Sequence, residues 1–275
     1  MSAAIAAPPR LRVGVVKYAS CDGCQLTILD LEDELIPLAG LVHFVEFPEA
    51  TSERSTGPFD LLIVEGSVST PDQAREIVEL RAQAKLLATI GACASSGGIQ
   101  ALRNWMDHDE VRATVYAHPE YIESLATAKP VREVVEVDLE LRGCPVDPGQ
   151  LREVLTALLA GRRPQIREEA VCMECKRKSL ACVLVVGGQA CLGPVTQAGC
   201  GAICPSMGRG CYGCFGPKEM ANAKGLAAGL VHRGRSREEV GQLFAGINAW
   251  AEPFRAVVAD AGGPERTKAG TPDAR

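Results

Sequence analysis

The chain is short of several things, and each shortage excludes something. Aromatic residues make up only 4% of its 275 residues, so the core has to be built from aliphatic side chains rather than stacked rings. No stretch approaches 18 uninterrupted apolar residues, which excludes a membrane-spanning helix. The opening stretch MSAAIAAPPRLRVGVVKYAS has no apolar core of signal length, no twin-arginine pair and no A-x-A site before a polar region, so a cytoplasmic location is expected. Basic residues are outnumbered 29 to 34, with no Lys/Arg run or basic–aromatic stripe, and nucleic acid is not an expected partner. No GxGxxG follows a predicted strand, and there is no phosphate-binding loop and no C-x-x-C-H, so any nicotinamide binds elsewhere and haem is not supported. The four histidines, His43, His108, His118 and His232, stand at no metal spacing and are read as structural.

Cysteine is abundant. Eight of twelve cysteines fall between Cys172 and Cys214 in the pattern C-x2-C-x6-C-x8-C-x8-C-x3-C-x6-C-x2-C. In a reducing compartment disulfides are rare, and clustered cysteines act as metal ligands or catalytic groups. Eight thiolates divide into two four-ligand sites. Cys21, Cys24, Cys93 and Cys144 add a third set of four, and cubane iron–sulfur clusters take four thiolates each. Zinc also takes four, and the pairs Cys172/Cys175 and Cys211/Cys214 would suit it. A zinc ribbon, however, spaces its knuckles about 15–20 residues apart, whereas 35 residues and four further cysteines separate Cys175 from Cys211. Cys204-Pro205 matches the Cys-Pro that closes ferredoxin cluster runs. For the first four, a redox pair at Cys21/Cys24 with Cys93 as a small buried side chain is the other reading; it leaves Cys144 without a role.

The hydrophobic pattern orders these cysteines. Residues 11–16, 41–47, 60–66, 85–93 and 131–138 read as strands. A helical pattern joins Leu26, Leu29 and Ile36 and closes at Pro37. A second helix covers 72–83, with Pro71 in its first turn and Ala74, Ile77, Val78 and Leu80 on its apolar side. A third runs from Pro148 to Gly161. Alternating strands and helices predict an α/β, flavodoxin-like doubly wound parallel sheet. The four early cysteines then follow the carboxyl ends of strands, the edge where such sheets bind ligands. Residues 99–130 interrupt the rhythm. The expected organisation is a flavodoxin-like domain over 10–164, a small irregular two-site metal domain over 165–217, a helical segment over 218–262 and a flexible tail over 263–275.

Taken together, C-D-G-C-Q (21–25), V-E-G-S (64–67), G-A-C-A (91–94), G-C-P-V-D-P (143–148), C-L-G-P-V-T-Q-A-G-C (191–200) and G-C-Y-G-C-F-G-P (210–217) resemble the small subunit of nickel–iron hydrogenases. The resemblance spans about 11 to 217. It implies an electron-transfer subunit, itself non-catalytic, of an oxidoreductase that oxidises or evolves hydrogen. Three [4Fe–4S] clusters are implied: a proximal one on Cys21, Cys24, Cys93 and Cys144, a medial one on Cys200, Cys204, Cys211 and Cys214, and a distal one on Cys172, Cys175, Cys182 and Cys191. The nickel–iron centre would lie on a large-subunit partner, with flavin and NAD(P) on diaphorase-type partners. Periplasmic uptake enzymes open the distal site with histidine and hold a three-iron medial cluster on three cysteines; Cys172 and Cys204 depart from both. All-cysteine ligation favours low potentials, as in the cytoplasmic NAD(P)-linked or sulfhydrogenase-type (delta-type) subgroup, which exchanges electrons with a nicotinamide, deazaflavin or ferredoxin. A subunit of respiratory complex I is the related alternative; it uses adjacent cysteines in the first motif and lacks the eight-cysteine extension. A zinc-bearing structural or assembly module is the alternative of another class. Glu65 is expected near the proximal site, either in a proton path or as a local capping carboxylate. Trp105 and Trp250 are expected to pack, and 232–236 to form a solvated face.

Overall fold

β-Branched and aliphatic runs bounded by turn residues become five parallel strands: β1 (Leu11–Lys17), β2 (Val42–Glu46), β3 (Phe59–Glu65), β4 (Ala84–Ile90) and β5 (Leu139–Leu141). This computed structural model describes residues 11–32, 37 and 40–262; Ile36 and the 263–275 tail lie outside the described residues. The strand order is β2-β1-β3-β4-β5, the flavodoxin-like order, whose direction reverses between β1 and β3.

Both sheet faces are covered. On one, Val13, Val15, Leu61, Ile63, Ala88 and Ile90 meet Ile28 of α1 (Gly23–Leu29) and Leu151, Val154 and Leu155 of α5 (Pro148–Leu159). On the other, Val16, Leu62, Val64 and Leu87 meet Ile77 and Leu80 of α2 (Pro71–Ala82). Each such side chain contributes about 1.5–3 kcal/mol on burial. A capping box between Thr70 and Gln73 starts α2, with Pro71 in its first turn as expected.

Five details differ from the sequence reading. α1 ends at Leu29, short of the expected close at Pro37. Leu26 is exposed, and α1 buries Cys24 and Ile28 instead. Val78 of α2 is also exposed. β4 ends at Ile90 because Gly91 takes φ +81 and turns the chain into α3 (Gly91–Ser96), so Cys93 sits on a helix. The fifth strand is 139–141, not 131–138. Val131–Glu133 forms a 3₁₀ turn after Pro130, and Val131, Val134, Val135 and Val137 pack flat on the second core. Pairing starts only after Asp138, whose N–H donates to the Leu87 carbonyl (3.0 Å) while its carboxylate accepts from the Leu87 N–H (2.7 Å).

The interrupting stretch is a 3₁₀ segment over Gly98–Trp105 and a short helix, α4 (His108–Val115). Beyond it, α6 (Val171–Arg177) and α7 (Ile203–Ser206) carry cysteines. The closing helices are α8 (Ala223–His232), α9 (Arg237–Phe244) and α10 (Glu252–Asp260). Leu192 and Val195 share a core with Leu230, Val240, Phe244, Phe254, Val257 and Val258, so these helices close over the cysteine-rich segment.

Candidate metal centres

The first four cysteines meet at the carboxyl edge of the sheet, beside the β1/β3 reversal. Cys21 and Cys24 leave β1, Cys93 rides on α3 and Cys144 follows β5. Burial pushes the Cys24 thiol up, and Cys93 and Cys144 reinforce the shift. Cys93 is pushed up to about 11, by burial first and then by Cys144 and Cys21. Cys144 is raised by burial and by Cys21. Cys24, Cys93 and Cys144 therefore lie within one another's electrostatic reach, and Cys21 within that of Cys93 and Cys144. Glycine leaves the sulfurs their space: a Cβ at Gly91 would overlap the Cys24 Sγ, and one at Gly98 (φ +60) would stand 2.6 Å from the Cys93 Sγ.

The G-C-P-V-D-P motif has a job for most of its letters. The Val146 N–H donates to the Cys24 Sγ (3.4 Å), Asp147 caps α5 by accepting from the Gln150 N–H (2.9 Å), and Pro148 opens that helix. Glu65, 2% exposed, ends β3 opposite Lys17. Its carboxylate accepts from the Cys24 N–H (3.0 Å) and from the Gln25 amide (2.9 Å). Burial raises its pKa against the pull of these hydrogen bonds. Glu65 thus ties the first cysteine loop to the neighbouring strand.

The eight later cysteines separate into two neighbourhoods. Burial, with Cys191, Cys175 and Cys182, pushes Cys172 up to about 11; burial, with Cys191 and Cys182, raises Cys175. A Cβ at Gly193 would lie 3.3 Å from the Cys191 Sγ and 3.6 Å from the Cys172 Sγ, so both sulfurs converge on that glycine. Cys214 is pushed up to about 11 by burial and by Cys200 and Cys204. Cys211, pushed up to about 12 mainly by burial, has both Cys191 and Cys214 as neighbours. The Cys191 Sγ accepts from the Gly193 (3.4 Å) and Cys211 (3.2 Å) N–H groups. Cys144 also acts on Cys214. Cys144 therefore lies within electrostatic reach of Cys214, and the Cys211 N–H reaches the Cys191 sulfur.

Donor chemistry fits iron–sulfur clusters. Each set offers four thiols, backbone N–H groups already point at sulfur, and hydrogen bonds to sulfur are a means of tuning clusters. Between the first set and Cys200, the buried Gln150 amide has no hydrogen-bond partner for either polar atom. Its Nε2 faces Gly199 so closely that a Cβ there would overlap it. Among the described residues, no three His, Cys, Asp or Glu side chains are grouped to hold a single metal ion.

Glu174 escaped the sequence reading. It is 3% exposed, between Cys172 and Cys175, and accepts from the Gly199 N–H (3.0 Å), the Ala202 N–H (3.0 Å) and the Arg167 guanidinium (3.3 Å). The helix of the second set therefore anchors the Cys200 loop of the third. The only hint in the sequence was an acid inside a C-x-x-C. His108 binds Arg103 and Ser124, His118 stacks on Tyr121, and Trp105 meets Trp250 edge-on at 5.6 Å. Residues 232–236 are exposed.

An open sheet of this order, with thiols gathered at its carboxyl edge, defines a flavodoxin-like α/β protein with a candidate metal site where such sheets bind ligands. Residues 21–158 match the family described as NADH ubiquinone oxidoreductase, 20 Kd subunit, a match that stops short of the eight later cysteines. The chain is 36% identical to the sulfhydrogenase 2 subunit delta of Pyrococcus furiosus, covering 78% of this chain and 90% of that one. It is 30% identical to a vhu subunit of the F420-non-reducing hydrogenase of Methanocaldococcus jannaschii, covering 88% and 95%. Among solved structures, an NAD+-reducing [NiFe]-hydrogenase in the H2-reduced state contains a chain with 28% identity and a TM-score of 0.54, over 57% of this chain and 96% of that one. The chain belongs to the family of nickel–iron hydrogenase small subunits. Among the described residues, no helix is long and apolar enough to cross a membrane.

Proposed function

We propose that the chain is the non-catalytic relay of a cytoplasmic, bidirectional nickel–iron hydrogenase, built from a flavodoxin-like domain over 10–164, a two-cluster domain over 165–217 and a helical cover over 218–262. Cys21, Cys24, Cys93 and Cys144 hold the proximal cluster; Cys200, Cys204, Cys211 and Cys214 the medial; Cys172, Cys175, Cys182 and Cys191 the distal. Each [4Fe–4S] group supplies reversible one-electron storage. The nickel–iron site lies on the large-subunit partner, and a flavin/NAD(P)-bearing or ferredoxin-type partner stands at the other end. The observation that supports this reading is the order of contacts among the cysteines, Cys144 within electrostatic reach of Cys214 and the Cys211 N–H on the Cys191 sulfur. The names of the relatives, which include sulfhydrogenase and NAD+-reducing enzymes, support the subgroup.

The test is the iron and acid-labile sulfide content of the anaerobically purified chain, with its EPR spectrum after dithionite reduction. About twelve irons and twelve sulfides are expected, three cubanes' worth, with interacting fast-relaxing signals. About four irons with two zincs would confine redox chemistry to the first set, and no iron would defeat the reading. Replacing Cys204 with serine should impair the medial cluster and electron exit while leaving hydrogen-side chemistry less affected. Unchanged iron content and dye reduction in that variant would defeat the fourth-ligand assignment.

A further inference from the structure

The buried amide side chains Asn248, Gln197 and Gln150 are used very differently. Asn248 donates to the Gly213 and Cys214 carbonyls, at 2.8 and 3.0 Å, and accepts from the Ser96 hydroxyl. Gln197, three residues before Cys200, donates to the Arg167 carbonyl at 2.9 Å. Gln150 is as buried as Gln197, both 7% exposed, yet neither its Nε2 nor its Oε1 has a hydrogen-bond partner among the described residues. Buried polar side chains are nearly always paired, so an orphan of this kind points to a group that the chain itself does not supply.

The neighbours of Gln150 say which group that is. The residue stands in the first turn of α5, where the Asp147 carboxylate accepts its backbone N–H at 2.9 Å. Its Nε2 presses on Gly199, where a Cβ would overlap it, and Gly199 adjoins Cys200. Two of that loop's own N–H groups, those of Gly199 and Ala202, are directed to Glu174 at 3.0 Å each. The Glu174 Oε2 also stands 3.9 Å from the Cys200 Sγ. By contrast, the Cys191 Sγ accepts two backbone N–H groups and has no such carboxylate on it. A buried carboxylate beside a thiolate opposes further negative charge there, and an added N–H donor offsets that opposition.

We propose that Gln150 sets the ease with which the Cys200 set takes an electron: its Nε2 donates a hydrogen bond to a sulfur of the group held by Cys200, Cys204, Cys211 and Cys214. The inference rests on the relay reading, in which this set stands between the other two. An added electron raises the negative charge on sulfur, and an N–H aimed at that sulfur stabilises the reduced form. The donor comes from the first turn of α5, so the helix that follows the first cysteine set also tunes the next one. The rival explanation is that Gln150 only packs at this junction, with a buried water on its amide.

The experiment compares the anaerobically purified full chain with its Gln150→Leu and Gln150→Met variants, which both remove the N–H donor while keeping an apolar side chain of similar volume. Reduction is followed by EPR in a potentiometric titration, the signal of the Cys200 set being the one that Cys204→Ser alters. In both variants that couple is expected to become about tenfold harder to reduce, about 59 mV for one electron. The other two couples and the iron content are expected to hold. With glutamine side-chain nitrogen isotopically labelled, pulsed EPR of the reduced chain is expected to show a nitrogen coupling that Gln150→Met removes. Unmoved potentials and an unaltered coupling, with iron retained, would overturn the inference and leave the relay standing. So would an equal shift of all three couples, which would mark a packing effect. Should both variants lose iron, Gln150→Asn takes their place, since it keeps an amide but withdraws it from Gly199; an unmoved couple there would overturn the inference. An unaltered chain with no iron on its later thiols would defeat the relay reading, and the inference with it.

Discussion

Removing the Glu174 carboxylate is the most direct test of how the later metal sites are held. Glu174→Ala deletes an acceptor that satisfies the N–H groups of Gly199 and Ala202 and the Arg167 guanidinium. Arg167 is half exposed and returns to water at little cost, because exposed ion pairs are worth at most about 1 kcal/mol. The two amides have no such escape, and a buried N–H left unpaired costs about 1–3 kcal/mol. The variant should therefore lose about 3–5 kcal/mol, the scale on which breaking a buried charged network destabilises. Glu174→Gln keeps one oxygen but sets an NH2 against the second amide, so about half that loss is expected. An anaerobic urea titration of the loaded chain followed by circular dichroism measures both. Iron analysis should show loss from the eight later thiols, with the first four retained. The reasoning is refuted if Glu174→Ala shifts the midpoint by less than the equivalent of about 1 kcal/mol and keeps its full iron content.

Gly91→Ala should act on the first set alone. Alanine at φ +81 is strained by about 1–2 kcal/mol, and its Cβ would overlap the Cys24 sulfur. Loss of about four irons is expected while the later sets stay loaded, and Mössbauer quantitation reads the difference. His108 gives a pH dependence. Arg103 donates to its Nδ1 at 2.8 Å and a guanidinium only donates, so the ring is neutral with its proton on Nε2, toward Ser124. Burial, then the charges of Arg103 and Arg112, hold its pKa below the ordinary 6.5. Its contribution to stability is present above 6.5 and is lost as pH falls through the lowered folded value. Urea midpoints compared between about pH 7.5 and about pH 5.5 should fall more steeply for the native chain than for His108→Gln.

Much of the fold was legible because strands β1 to β4 are aliphatic runs bounded by turn residues, and a parallel sheet buried on both faces demands that pattern. The misreadings share a cause: local pattern was outvoted by backbone freedom or by packing from elsewhere. The run 131–138 is as β-branched as any strand here, but its valines all face one core, a use that a period-2 reading cannot anticipate. Gly91 ends β4 three residues early, since a left-handed glycine followed by small residues can turn where a β-branched residue could not. Leu26 and Val78 are apolar at helical spacing yet exposed, because spacing defines a stripe on a helix and the neighbouring elements decide which part of it is covered.

The later cysteines followed a different logic. Their spacing pointed to two sites, and the family resemblance implied which cysteine joins which. What neither could reveal is how the sites are mounted. The Gly143 and Gly199 backbones leave room for the Phe215 ring, which a Cβ at Gly143 would approach to 2.9 Å and one at Gly199 to 2.6 Å. Phe215 thus wedges between the G-C-P-V-D-P turn and the Cys200 loop. Glu174 ties that same loop to the helix of Cys172 and Cys175, and Asn248 holds the Gly213 and Cys214 carbonyls from the C-terminal helical region. These contacts join residues far apart in sequence, and none leaves a local pattern. The loops that carry adjacent thiols are therefore held by ordinary side chains, Phe215, Glu174 and Asn248, and on the proposed relay reading these contacts fix the spacing over which electrons pass.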